Sequence, residues 1–242
     1  MTEIIKYRGY TIEISQDSDP LNPRTDYDNL STLCCYHSNY NLGDEHEQHT
    51  EADSIREEIA LRFAEDDEDL IDAIRYADND EYTRTIDKAI KQARRNAVIM
   101  PLYLFDHSGL SMSVKDFGCR WDSGTVGFAY ITRERMLKEF GGKYFTKKLR
   151  ERAAEIIRAE VELYDQYLTG NVYHYNIEEF NEGCGSFFGY DHEKSGLLEQ
   201  AKNDIDCHIE HERKRKQGAL RTLIRNRVPL QNRAQILTNM NL

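Results

Sequence analysis

The chain has no uninterrupted apolar stretch approaching the ~20 residues that a membrane-spanning helix needs, and its mean hydropathy is −0.74. Its first residues, Met1-Thr2-Glu3-Ile4-Ile5-Lys6, lack the basic-then-apolar layout of a signal peptide. Proline is scarce at 4 residues and glycine numbers only 14, which excludes collagen-like and Pro/Gly-rich disordered chains. The five cysteines (Cys34, Cys35, Cys119, Cys184 and Cys207) are odd in number and contain no C-x-x-C pair. Neither a disulfide framework nor a structural zinc site is expected, and the setting expected is a reducing cytosol. The common catalytic signatures are also missing: no P-loop, G-x-G-x-x-G, G-x-S-x-G, H-E-x-x-H or EF-hand occurs. That lowers the expectation of the commonest nucleotide-dependent and hydrolytic enzymes.

What is abundant is segregated charge. The net charge is −11, yet residues 44–81 hold sixteen acidic side chains against Arg56, Arg62 and Arg75. No carboxylate side chain follows Glu212, whereas eight basic residues do: Arg213, Lys214, Arg215, Lys216, Arg221, Arg225, Arg227 and Arg233. Such asymmetry speaks to electrostatically steered partners more than to fold.

Hydrophobic periodicity predicts the elements. Residues 3–15 read as a hairpin around Arg8-Gly9, and Leu33 to His37 as a buried strand; the polar stretches 16–30 and 38–49 read as loops. Three helices are predicted next: one opened by a Ser54/Glu57 capping box, one over 66–77 and one over 81–96. Strands follow at 98–105, 110–114 and 125–131, then a short helix from Thr132 and a long one over 146–168 closed by Gly170. A strand over 172–180 with a partner at 185–190, a helix over 192–217 and a basic tail over 218–242 complete the chain. Runs of strands separated by runs of helices predict an α+β fold: a mainly antiparallel sheet packed by long helices, with a small acidic helical insertion. The division expected is a core of 1–49 with 98–190, an insertion over 50–97, and a C-terminal helix and basic tail over 191–242.

Two sets of residues are candidates for function. The first is the acidic array Glu57, Glu58, Glu65, Asp66, Asp67, Glu68, Asp69 and Asp72, which could present a negative surface to a protein built to bind nucleic-acid phosphates. On that reading no cofactor is expected. The second is His37, Asp44, Asp106, His107 and Asp122, with His46 and His49 nearby; imidazole and carboxylate are suitable ligands for a divalent metal that activates water. Trp121, the only tryptophan, is expected as an aromatic anchor. Tyr173-His174-Tyr175 would alternate on a strand, where the tyrosines could form an exposed platform.

Four strings occur in one order: Tyr36-His37 with Tyr40-Asn41-Leu42-Gly43-Asp44; Leu102-Tyr103-Leu104-Phe105-Asp106-His107-Ser108-Gly109; Trp121-Asp122-Ser123-Gly124 with Val126-Gly127-Phe128; and Tyr164-Asp165-Gln166-Tyr167-Leu168-Thr169-Gly170-Asn171-Val172-Tyr173. Together they resemble a family of uncharacterised bacteriophage and mobile-element proteins, over roughly residues 8–49 and 98–190. The resemblance implies an accessory protein of the bacterial host cytosol, of a kind that often counters host defence. The expected function is therefore inhibition of a host defence protein, of anti-CRISPR or anti-restriction type, by acidic nucleic-acid mimicry. The alternatives are a metal-dependent hydrolase or nuclease using the His/Asp set, and an assembly protein whose acidic and basic ends pair between copies. No membrane partner is expected, and direct nucleic-acid contact only through the basic tail.

Overall fold

The computed structural model describes residues 2–47, 55–64, 67–76 and 79–239. In chain order the elements are β1 (Glu3–Tyr7), β2 (Tyr10–Gln16), β3 (Thr32–Tyr36), β4 (Glu45–Glu47), α1 (Ile55–Arg62), α2 (Glu68–Tyr76), α3 (Asn79–Asn96) and β5 (Ala97–Asp106). They continue with β6 (Leu110–Ser113), β7 (Ser123–Thr132), α4 (Arg133–Phe140), α5 (Lys147–Leu168), β8 (Val172–Ile177), β9 (Glu182–Phe188), α6 (Leu197–Arg227) and α7 (Leu230–Asn239). The fold is α+β with two sheets in which nearly every pairing is antiparallel, as the sequence predicts. Among the described residues the one parallel pairing joins β3 to β4. Strand β4 lies inside a stretch that reads as loop, because Glu-His-Glu carries no apolar alternation. Among the described residues no helix is long and apolar enough to cross a membrane.

The chain divides into two compact units, residues 1–20 with 172–242 and residues 21–171. The sequence division had grouped 1–49 with 98–190 and set 191–242 apart. Strand pairing is what redraws it, because β2 pairs with β8 and β3 pairs with β7. Hydrophobic periodicity marks strands but says nothing of which partner each one takes.

In the first unit the strand order is β1-β2-β8-β9. Arg8 and Gly9 both take positive φ, 51° and 89°, which is what a two-residue hairpin turn of matched twist requires. Ile12 and Ile14 alternate inward on β2, and with Tyr175 and Ile177 of β8 they pack against Leu197, Ala201 and Ile205 of α6. Tyr175 is thus buried to 1% exposure, and its hydroxyl donates to Asp204; the exposed tyrosine platform expected here does not form. The stretch read as a basic tail is helical. Leu220, Leu223 and Ile224 keep the helical period past Gly218, and α6 stops only at Val228, extended at φ −104° and ψ 133°, as the residue before a proline prefers.

In the second unit the order is β4-β3-β7-β5-β6. Leu33, Cys35, Leu102, Leu104, Ala129 and Ile131 share a core with Ala153, Ile157, Val161 and Tyr164 of α5. Thr146 caps the start of α5 by accepting from Leu149 N. Its end is a Schellman turn: Gly170 sits at φ 70°, Asn171 N donates to Gln166 O and Gly170 N to Tyr167 O, satisfying carbonyls the helix leaves open. The alternate strand positions carry Cys34, Phe128 and Tyr130. Tyr130 meets Phe63, which follows α1, edge-on at 5.3 Å. Helices α1–α3 close on their own small core of Ala60, Ile74, Ile86 and Ala89.

A polar network crosses the same unit. The Arg24 side chain is 1% exposed. Its Nε and Nη2 donate to the two oxygens of Asp44 at 2.7 and 2.5 Å, Nη1 to Asn29 Oδ1 and Glu160 Oε2, and Nη2 also to Ser31 O. Burial alone would lower the Arg24 pKa, but the hydrogen bonds and charges of Asp44 and Glu160 outweigh it and raise it.

Cysteine burial gives a direct check. Cys34 and Cys35 are buried and Cys184 and Cys207 exposed, and burial pushes the Cys35 thiol up to about 12. Since the thiolate is the reactive form, Cys184 and Cys207 are expected to alkylate promptly at pH 8, and Cys34 and Cys35 only after denaturation. Mass mapping of labelled peptides tests this.

Candidate functional site

The acidic array resolves into two environments. Glu57 and Glu58 on α1 are half-buried, and Glu58 lies against the Tyr36 hydroxyl, whose pKa is raised first by burial and also by this carboxylate. Glu65 and Asp66 lie outside the described residues. Asp67, Glu68, Asp69 and Asp72 are exposed. Asp67 Oδ1 accepts from Leu70 N at 3.1 Å, so it caps α2, and Glu68 and Asp69 sit in the first turn where the helix dipole favours anions. Glu68 and Asp72, four apart, share a face.

Asp67, Glu68 and Asp69 edge a groove of about 950 Å³. Its other walls are Arg62, Phe63, Gln92, Tyr130 and Thr132. The fold thus sets an aromatic surface, Phe63 on Tyr130, beside an anionic rim. The cations of α3 (Arg84, Lys88, Lys91, Arg94 and Arg95) belong to the same helical cluster, and Asp87 is taken by Arg56. On α2 itself Glu68, Asp69 and Asp72 stand against one basic residue, Arg75. Charge density in the sequence located this edge; Phe63 and Tyr130 carried no signal of their own, because their juxtaposition comes from long-range packing.

The His/Asp set is brought together only in part. His37, Asp106 and Asp122 line a cleft of about 320 Å³ at one end of the five-stranded sheet, with Tyr36, Trp121 and Gly124. His107 Nδ1 stands 3.6 Å from Asp122 Oδ2, and the Cys119 thiol donates to that same oxygen at 3.6 Å. Asp44 does not join them. Both its oxygens accept from Arg24, and Oδ2 also accepts from Leu33 N, so it belongs to the buried network. This corrects the five-residue set, whose members are separated because β3 carries the segment of Asp44 away from the β5–β6 turn. The His49 position lies outside the described residues. Among the described residues no three His, Cys, Asp or Glu side chains are placed to hold a metal ion.

Trp121 is 93% exposed, so it does not anchor the turn as expected. The neighbouring turn is held instead by Ser123, whose N and Oγ both donate to Cys119 O. Asp165 is likewise structural: Oδ1 accepts from Ser111 Oγ and Met112 N, each at 2.7 Å, tying α5 to β6.

Comparison with family models, curated proteins and solved structures finds no match to this chain.

Proposed function

We propose that this protein acts as a binding protein, an inhibitor of a host defence protein, that presents the acidic edge of α2 to a cationic, phosphate-binding surface on its target. The observation that carries this reading is the exposed set Asp67, Glu68 and Asp69 rimming a groove with Phe63 and Tyr130 in its wall, with Asp72 exposed one turn further along α2. Carboxylates offer the charge of a phosphate backbone, and the aromatic pair adds apolar area that counterions cannot screen. Carboxylates on a regular helix are also held without long, mobile side chains, which limits the ordering entropy of docking. The phage or mobile-element setting comes from the motif resemblance.

The test is charge reversal that spares the Asp67 cap. In bacteria carrying a restriction or CRISPR system, the wild-type chain is expected to raise phage plating efficiency, and Glu68→Lys/Asp69→Lys/Asp72→Lys to lose at least tenfold of that gain. Capture of the target from lysate should weaken between low and high salt for wild type and vanish for the triple variant. Equal protection by wild type and variant, with the variant folded by circular dichroism, would remove the acidic edge from the mechanism.

A further inference from the structure

A second charged surface, in the other unit, carries its own argument. From Glu210 onward α6 is a largely exposed helix whose cations outnumber their partners. Glu210 and Glu212, the last carboxylate side chains in the chain, already bind Lys214, Arg215 and Lys216. Arg213, Arg221, Arg225 and Arg227 are exposed and carry no ion pair among the described residues. At a rise of about 1.5 Å per residue they span about 21 Å, Arg221 and Arg225 on one face of the helix and Arg213 and Arg227 on another, roughly a third of a turn round. After the two-residue break at Val228-Pro229, α7 adds exposed Gln231, Asn232 and Gln235 and again no carboxylate. Arg233 Nε donates to Val228 O at 2.7 Å, so a side chain of α7 holds the break between the two helices.

We infer that the α6–α7 segment is a nucleic-acid contact, its guanidiniums engaging backbone phosphates. Arginine's planar fork suits phosphate oxygens better than any other side chain, and cations spread over this length meet several phosphates, since duplex DNA carries one per about 1.7 Å of axis. A lipid surface fits less well. Ile224 is only 4% exposed, and Leu223 and Leu230, the large apolar side chains left open here among the described residues, do not make the broad apolar face an interfacial helix inserts. The acidic edge of a second copy fits less well too, because isolated exposed ion pairs add little and are screened by salt, whereas phosphate binding gains from counterion release. This surface is independent of the α2 edge, so either assignment can fail alone.

The experiment is fluorescence anisotropy of the full chain with a labelled 20-base-pair DNA duplex of mixed sequence, between 50 and 200 mM salt. Four phosphate contacts predict a slope of log K against log salt of about −3.6, a loss of roughly 100-fold across that range. Arg213→Gln/Arg221→Gln/Arg225→Gln/Arg227→Gln is expected to weaken binding at 50 mM at least tenfold and flatten the slope. The corresponding four-lysine variant should keep most of the slope, and Glu68→Gln/Asp69→Asn/Asp72→Asn should not weaken binding. Helical content by circular dichroism is expected to be unchanged in all three. The inference is overturned by no binding at 50 mM, by binding that the glutamine variant leaves intact, or by arginine-dependent self-association or anionic-vesicle binding without DNA binding.

Discussion

Replacing Arg24 by methionine is expected to destabilise the protein by about 3–5 kcal/mol, the range typical when one partner of a buried ion pair is removed. The magnitude follows from what is left behind. Asp44 would lose both its guanidinium donors and keep only Leu33 N, and Glu160 would keep Leu30 N, Ser31 N and Ser31 Oγ without a cation. Two carboxylates would then stand close to a largely buried site with no positive charge. Arg24→Lys keeps the charge but cannot donate to Asp44, Asn29, Glu160 and Ser31 together, so it is expected to recover only part of the loss. Arg24→Met/Asp44→Asn/Glu160→Gln should be closer to wild type than Arg24→Met alone, because the uncompensated charges leave with the cation. Urea denaturation measures all three. At the usual slope of about 1–3 kcal/mol per molar, Arg24→Met lowers the midpoint by on the order of 1–5 M. A shift within experimental scatter would mean that the network does not hold these loops.

Asp44 also shows where a sequence is legible and where it is not. Its residue type and polar loop gave it the profile of a metal ligand, equal to that of His107 or Asp122. What distinguishes them is Arg24, twenty positions away in a stretch of turn formers, and Glu160 on a helix. No local pattern joins the three. The same holds for the two units. Hydrophobic alternation found both β2 and β8 but could not pair Ile14 with Tyr175, a contact between residues far apart in the chain. The elements themselves were readable because their signals are local: the Arg8-Gly9 turn, the Thr146 cap and the Gly170 stop are each decided within a few residues. The acidic edge of α2 was readable for the same reason, since helix-face charge at four-residue spacing is written in the sequence. The groove beside it was not, because Phe63 and Tyr130 meet only through packing. The helical nature of the basic tail was hidden by Gly218, which interrupts the apolar period at a cost of about 1 kcal/mol relative to alanine without breaking the helix.

The other large effect is expected at Gly127. Its φ is unremarkable, and the constraint is space: a Cβ there would lie 1.9 Å from Cys34 O, 2.9 Å from Cys34 C and 3.1 Å from Cys35 Cα. These are backbone atoms of β3, the strand paired with β7 at this point, and β7 is the central strand of the five. No rotamer can relieve the clash, so the strands themselves must part. Gly127→Ala is therefore expected to cost about 3 kcal/mol or more, at or beyond the upper range for overpacking, which at this chain length is a fall in Tm of roughly 6–12 °C. Gly124→Ala, three residues earlier on the same strand, meets nothing within 4 Å and should stay within about 0.5 kcal/mol of wild type. The contrast has a structural cause. Between the two glycines the β5–β7 register shifts, Leu102 facing Gly127 while Tyr103 faces Thr125. A bulge of this kind bends and twists the strand, and it turns residues 123–126 into the wall of the cleft that holds His37, Asp106 and Asp122. Close approach of β3 at Gly127 and the bend beyond it form one arrangement, so Gly127→Ala should also alter the environment of Trp121 at the cleft mouth. Differential scanning calorimetry and the tryptophan emission of the two variants read both effects; a Gly127→Ala protein melting and emitting like wild type would contradict the β3–β7 pairing itself.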